Sequence, residues 1–224
     1  MKTQKDFIDP FLKKRLDNYD KWLNKNQISV SSKVIPVAES LHAEHWVLPT
    51  EQVMEILVSA KSVAVQDCEC RTHYKRCDKP LEVCFLLNKI GDKLVLQGKA
   101  RHVSLNEITN ILKKAHENGL IHLALYMPDH EVFALCSCCP CCCHELQILK
   151  LTERKELMAH SEYIADTDSA TCIHCGKCAD RCFFEARIFV DRQMEYNPEE
   201  CLGCGLCVNV CPVDATMMVL RCMS

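Results

Sequence analysis

Apolar residues recur at three- and four-residue steps through residues 6–25: Ile8, Phe11, Leu12, Leu16, Tyr19 and Leu23, with Lys13, Lys14, Arg15 and Asp17 between them. That spacing predicts an amphipathic helix, and Trp22 adds a large apolar surface at its end. The helix reads either as packed on its own domain or as an arm that grips another subunit. Residues 27–36 turn polar and then β-branched, as a link from arm to body would. Residues 50–61 predict a second helix, capped by Thr50, with Val53, Ile56, Leu57 and Ala60 facing inward. Val63-Ala-Val-Gln-Asp is a short apolar strand. Residues 104–118 carry the clearest helical pattern: Ser104 and Glu107 form a capping box, Leu105, Ile108, Ile111, Leu112 and Ala115 form the stripe, and Asn118-Gly119 ends it. A strand over 120–127, a turn at Pro128-Asp129-His130 and a partner strand over 132–135 complete a hairpin. Residues 149–160 are polar, a linker or short helix. Beyond them, short strands at 163–165, 188–190, 194–196 and 217–220 alternate with short helices at 178–186 and 207–214, a duplicated strand–helix–strand unit.

These elements predict an α+β chain. Its divisions are a helical arm and linker (1–35), a cysteine-rich α/β domain (36–148), a linker (149–160) and a small duplicated domain (161–224). The helix-then-hairpin order gives the N-terminal domain a winged-helix-like outline. DNA readout is not expected of it, because Lys113 and Lys114 are the helix's only adjacent cations and no concentrated basic face is present.

Charge sharpens the division. The 224 residues carry a formal charge of −3, but residues 161–224 hold 10 acidic and 5 basic side chains against 20 and 22 before them. An acidic tail beside a slightly basic body suits docking between an electron carrier and a basic redox partner. No apolar run approaches the roughly 20 residues that span a bilayer. Residues 1–10 lack the apolar stretch of a signal peptide. A reducing cytoplasm, without direct membrane insertion, is therefore the expected setting.

Cysteine usage supplies the chemistry. Of the 19 cysteines, eight fall in two tandem runs, Cys172-x2-Cys175-x2-Cys178-x3-Cys182 and Cys201-x2-Cys204-x2-Cys207-x3-Cys211-Pro212. This is the spacing that holds cubane [4Fe–4S] clusters, with the fourth cysteine of each run serving the other cluster. Cluster I is accordingly assigned to Cys172, Cys175, Cys178 and Cys211, and cluster II to Cys201, Cys204, Cys207 and Cys182. A pair of zinc knuckles is the competing reading, but zinc sites pair two ligands from each of two knuckles. Residues 160–224 resemble the two-cluster bacterial ferredoxins; Phe183 stands where the family has proline after the first run. Cys222 lies outside both runs and reads as a spare thiol.

Ten more cysteines precede the tail: Cys68, Cys70, Cys77, Cys84, Cys136, Cys138, Cys139, Cys141, Cys142 and Cys143. Free cysteine packs as a small hydrophobe, which gives no reason for clustering in two loops. A reducing cytoplasm disfavours disulfides. The strand and hairpin are expected to bring Cys70, Cys77 and Cys84 to part of the Cys136–Cys143 knot, as ligands of at least one further iron–sulfur centre. Ten thiolates suffice for two cubanes with two left over, or for one larger cluster of unusual shape; zinc is the alternative metal. Alternation along a strand means that the knot's six thiols cannot all address one centre. Arg71, His73, Lys75, Arg76 and Lys79 form a basic loop among these cysteines, able to offset thiolate charge.

The motif order from residue 30 onward resembles a group of ferredoxin-like proteins of anaerobes, which implies a redox role. The leading expectation is an electron-transfer protein whose two tail clusters serve an additional centre in the N-terminal domain. Its partners would be redox proteins, a larger oxidoreductase complex among them. The first alternative is a reductase or reductive activator in which Arg71, His73, Arg76, Arg101 and His102 hold an anionic substrate or donate protons. The second is a redox-sensing regulator.

Overall fold

The two hairpin strands around residue 130 lie at the heart of a large sheet. In this computed structural model, residues 8–36, 51–128, 131–152 and 154–221 are described. The strands are β1 (Ser32–Val34), β2 (Val63–Asp67), β3 (Glu82–Leu87), β4 (Arg101–His102), β5 (Ile121–Tyr126), β6 (Val132–Cys138) and β7 (Met158–Ala159). They form a seven-stranded sheet in the order β4-β2-β3-β6-β5-β1-β7. Every neighbour is antiparallel except β1 and β7. The hairpin is therefore no wing. A wing projects from an edge, whereas β6 pairs β3 and β5 pairs β1 on their outer sides.

Both faces of the sheet are covered, so β3 and β5 read as nearly continuous apolar runs. On one face, Val53 and Leu57 of α2 (Glu51–Ser59) and Ile108 and Leu112 of α5 (Leu105–Glu117) pack on Val65, Phe85, Ala124 and Leu135. Ser104 accepts a hydrogen bond from the Glu107 N–H at 3.3 Å, which starts α5 where the capping pattern put it; the expected Thr50 cap lies outside the described residues. On the other face, Leu86, Leu123, Leu125 and Ala134 meet Leu146 of α6 (His144–Thr152), Ile90 and Leu94 of α4 (Asn88–Leu96), and Leu202 and Leu206 of the tail.

The N-terminal helix α1 (Pro10–Asn24) belongs to this body. Asp9 caps it, accepting from the N–H groups of Phe11 and Leu12. Leu12 and Tyr19 then bury against Ile148 and Leu157. Residues 27–36, expected as a link, supply β1 to the sheet. Residues 149–160, expected as a linker or short helix, form the end of α6, a 3-10 turn and β7 at the sheet's edge. Both segments join because their few apolar residues find partners in the body, which local polarity does not reveal.

In the tail, β8 (Tyr163–Thr167) pairs with β11 (Thr216–Leu220), and β9 (Arg187–Val190) with β10 (Gln193–Tyr196). The first expected helix is a short α7 (Lys177–Arg181). The second is absent: residues 206–210 make turns closed by i→i+3 hydrogen bonds, Val208 to Gly205 and Cys211 to Val208. No helix among the described residues is long and apolar enough to cross a membrane.

Candidate metal centres

The second cysteine run depends on a loop that only glycine permits. Gly203 has φ +79°, and a Cβ there would collide with the Tyr163 carbonyl and lie 2.7 Å from the Ser161 side chain. Gly205, at φ +74°, turns the chain again. The result is a small cavity lined by Cys182, Cys201, Cys204 and Cys207, with Ala165, Phe184, Ala186 and Leu206 as its apolar walls. Cys182, from the first run, thus lines the same cavity as three cysteines of the second.

Arg187 enters the same cavity from β9. It is 2% exposed; Nη1 donates to Thr167 Oγ1 at 2.8 Å, and the guanidinium lies 4.2 Å from the centroid of the Tyr196 ring. Burial works against its charge, but the thiols of Cys207 and Cys178 more than offset that, so its pKa is raised. Nη2 is buried without a hydrogen-bond partner among the described residues. A buried cation with a spare donor beside four thiols fits an anionic cluster. Burial also pushes the Cys207 thiol up to about 12 and raises that of Cys204. Burial thus disfavours their thiolates, and a bound metal would take the proton's place. Cys178 is buried on α7, while Cys172, Cys175 and Cys211 remain at least partly open to solvent. Cys222 lies outside the described residues.

The tail is seated on the body rather than tethered to it. Leu202, Leu206, Phe183, Phe184 and Cys204 share one apolar cluster with Leu146, Met158, Cys136, Cys138 and Cys143. Polar contacts frame it: Lys33 to Glu162 at 2.5 Å, Lys155 to Glu200 at 2.6 Å, and Arg181 donating to the Glu117 carbonyl at 3.0 Å.

The ten body cysteines divide into two groups. Cys68, Cys70, Cys84, Cys136, Cys138 and Cys143 line a cavity of about 150 Å³ on the α6 face of the sheet, roofed by Tyr19 and Trp22 of α1. Sheet register assembles it: Cys84 on β3 stands directly opposite Cys136 on β6, and Cys138 lies two residues further along. Cys68 ends the loop after β2, and Cys70 sits in α3 (Glu69–Tyr74). Hydrogen bonds from Cys70 and Cys84 lower the Cys68 thiol; the contact with Cys68 raises Cys70, and those with Cys136 and then Cys68 raise Cys84. His144 links the cavity to a buried polar chain. Its Nδ1 lies 3.0 Å from Cys70 Sγ and its Nε2 3.1 Å from the Tyr19 hydroxyl. Tyr19 donates to Glu145, which also accepts from Ser31 at 2.8 Å.

Cys77, Cys139, Cys141 and Cys142 form the other group, their Sγ atoms all within 4.8 Å of one another. Cys77 belongs to this close foursome and does not line the cavity, although it packs in one cluster with Cys70 and Cys84, beside which it was expected. Arg71 lies between the groups, 1% exposed, donating to the Pro80 carbonyl and, at 3.1 Å, to that of Ser137. Burial opposes its charge, while Cys139, Cys68 and Cys77 favour it and raise its pKa. Three other side chains of the basic loop are tied to neighbours. His73 stacks on Phe11 at 4.3 Å, Arg76 covers Tyr74 and donates to Gln147, and Lys79 donates to the Asn118 carbonyl. Arg101 is paired to Glu82 and Glu107 at the sheet's edge, and neither it nor His102 lines the cavity. The polar roles of Tyr19, His144, Glu145 and Arg187 were not expected from the sequence; Phe183, which follows Cys182 directly, was singled out there, while its neighbour Phe184 was not.

Two closely spaced cysteine runs, glycine-turned loops and a buried cation make up a domain suited to iron–sulfur clusters. Residues 165–218 match the family model described as a 4Fe-4S dicluster domain. No curated protein and no solved structure gave a match.

Proposed function

We propose that this chain is an electron-transfer protein whose two tail clusters exchange low-potential electrons with a further iron–sulfur centre held by Cys68, Cys70, Cys84, Cys136, Cys138 and Cys143. A cysteine-held [4Fe–4S] cluster takes up and releases one electron, at a potential set by charge, hydrogen bonding and solvent access. The observation that carries the reading is the shared apolar cluster: Cys204 of the tail and Cys136, Cys138 and Cys143 of the cavity pack into one continuous core. Leu206, Leu146 and Phe184 belong to the same cluster. Six thiols are two more than a single cubane takes, which favours a centre larger than one cubane. Cys172, Cys175 and Cys211 remain the solvent-side entry, on an acidic domain suited to a basic redox protein of an anaerobic cytoplasm.

A reductive role at the cavity is the second reading. The chain Glu145–Tyr19–His144 ends at Cys70 and could deliver a proton beside a reduced centre. Iron and sulfide counts on the anaerobically purified full chain test the main reading. The expected iron exceeds the about eight atoms of two cubanes, and Cys136→Ser with Cys138→Ser removes only the excess. Eight irons in the unaltered chain, unchanged by that pair, would defeat it. A change in the spectrum of the excess iron on adding a small substrate would favour the reductive role.

A further inference from the structure

The four sulfurs of Cys77, Cys139, Cys141 and Cys142 are too close together for a cubane. Cys77 and Cys139 are 3.7 Å apart and Cys141 and Cys142 3.8 Å. A tetrahedron of sulfurs about 2.3 Å from one central ion has edges of roughly 3.8 Å. In a cubane each thiolate binds a different iron, which spreads the sulfurs more widely. None of the four lines the six-thiol cavity.

We propose that Cys77, Cys139, Cys141 and Cys142 hold a single zinc ion that clamps the loop after α3 to the cysteine knot. Four protein thiolates leave no open coordination position, the mark of a structural rather than a catalytic site. The ligands come from two segments far apart in sequence, and joining such segments is what structural zinc does. Binding converts four thiols to thiolates and releases four protons. The resulting charge of −2 on the tetrathiolate faces Arg71 and Arg76, the latter donating to the Cys141 carbonyl at 3.1 Å. The knot is turned to suit: the N–H groups of Cys142 and Cys143 both point to the Cys139 carbonyl, at 3.2 and 2.9 Å. That turn sends Cys139, Cys141 and Cys142 to the clamp and returns Cys143 to the cavity.

The test uses the full chain, purified anaerobically, reconstituted with ferrous iron and sulfide, and desalted. Metal analysis is expected to give about one zinc per chain, and zinc-edge X-ray absorption four sulfur neighbours at about 2.3 Å. Cys141→Ser should cut retained zinc at least about tenfold while leaving iron unchanged. Reconstituted protein without zinc, iron in its place, or zinc with nitrogen or oxygen neighbours would each overturn the proposal. So would zinc that Cys141→Ser leaves in place. Should Cys141→Ser not fold, absorption on the unaltered chain decides alone. The iron count tests the cavity centre and the zinc count tests the clamp, so either can fail while the other stands.

Discussion

Arg187 offers the sharpest test of how the tail holds its clusters. The side chain is buried, it lines the cavity of Cys182, Cys201, Cys204 and Cys207, and its Nη2 has no partner among the described residues. Replacing it with methionine keeps most of the buried stem and removes one positive charge and the spare donor. An added electron is a negative charge, so loss of a nearby cation must make reduction harder. At a separation of about 6 Å and an effective dielectric of about 20, one unit charge is worth about 2.8 kcal/mol. For a one-electron couple, about 59 mV corresponds to a factor of ten, or about 1.4 kcal/mol. The expected shift is therefore toward more negative potential by about 120 mV, an upper figure because water and counter-ions screen part of the field.

Anaerobic redox titration followed by electron paramagnetic resonance measures it, with iron content and circular dichroism as controls. Arg187→Lys should recover most of the shift, since it restores charge without the planar fork. Cys178, the other thiol that raises the Arg187 pKa, belongs to the first run, so both tail potentials should respond. A fully loaded Arg187→Met protein with unchanged potentials, or with potentials moved upward, would refute the argument.

Three further outcomes follow from the same geometry. Cys182→Ala should remove about four irons per chain, those of the site shared with Cys201, Cys204 and Cys207; loss of the signal from the Cys172 site alone would contradict the crossed assignment. Gly203→Ala places a side chain at φ +79° against the Tyr163 carbonyl; the left-handed conformation alone costs about 1–2 kcal/mol, so a melting temperature and iron load equal to the unaltered chain would exclude the strain. His116 and His122 stack at 5.7 Å inside the body, where burial holds His116 down at about 4 and depresses His122 further below its usual value. Their folded pKa values lie below the unfolded value, so the stability they confer is full above pH 6.5. It is lost as pH falls toward 4, at up to about 1.4 kcal/mol per pH unit for each. Urea midpoints at pH 7 and pH 5 should converge in His122→Gln relative to the unaltered chain; an identical pH slope would show that the pair does not titrate on unfolding.

The sequence exposed some of this architecture because local rules and tertiary outcome agreed. Ser104 and Gly119 bracket α5 as capping chemistry requires, and the tail's strands fall within a residue or two of their expected ends. The tail's cysteine runs stand out because their spacing is itself a geometric constraint, and Cys182 does line one cavity with Cys201, Cys204 and Cys207. What stayed hidden was pairing at long range. β1 and β7 are three and two residues long, and their sheet partners lie far away in sequence. The wing expectation failed for the same reason: a hairpin pattern does not say what lies on its outer edges. Tyr19, Glu145 and Ser31 form one buried network from three segments, and none of them stands out alone.

The division of the ten body cysteines follows from two elementary facts about chains. Along a strand, residues two apart share a face, so Cys136 and Cys138 point together, and the register adds Cys84 beside them. Cys139 has the opposite parity and does not line the cavity, packing among Ala115 of α5, Leu120 beyond it and the backs of Cys68, Cys70 and Cys84. Pro140 then prevents the strand from continuing, and the turn that follows gathers Cys141 and Cys142 to Cys139 before Cys143 comes back to the cavity as α6 begins. Alternation thus separates two thiol sets that sequence proximity would merge. The segment with both sets also reaches the tail, because Leu146, one turn beyond Cys143, packs on Leu202 and Leu206. A disturbance at the clamp that leaves the iron count intact should therefore alter the spectrum of a centre at Cys143 and the cavity first, and reach the tail only through α6. That order of effects distinguishes a clamp that shapes the relay from a metal that takes part in it.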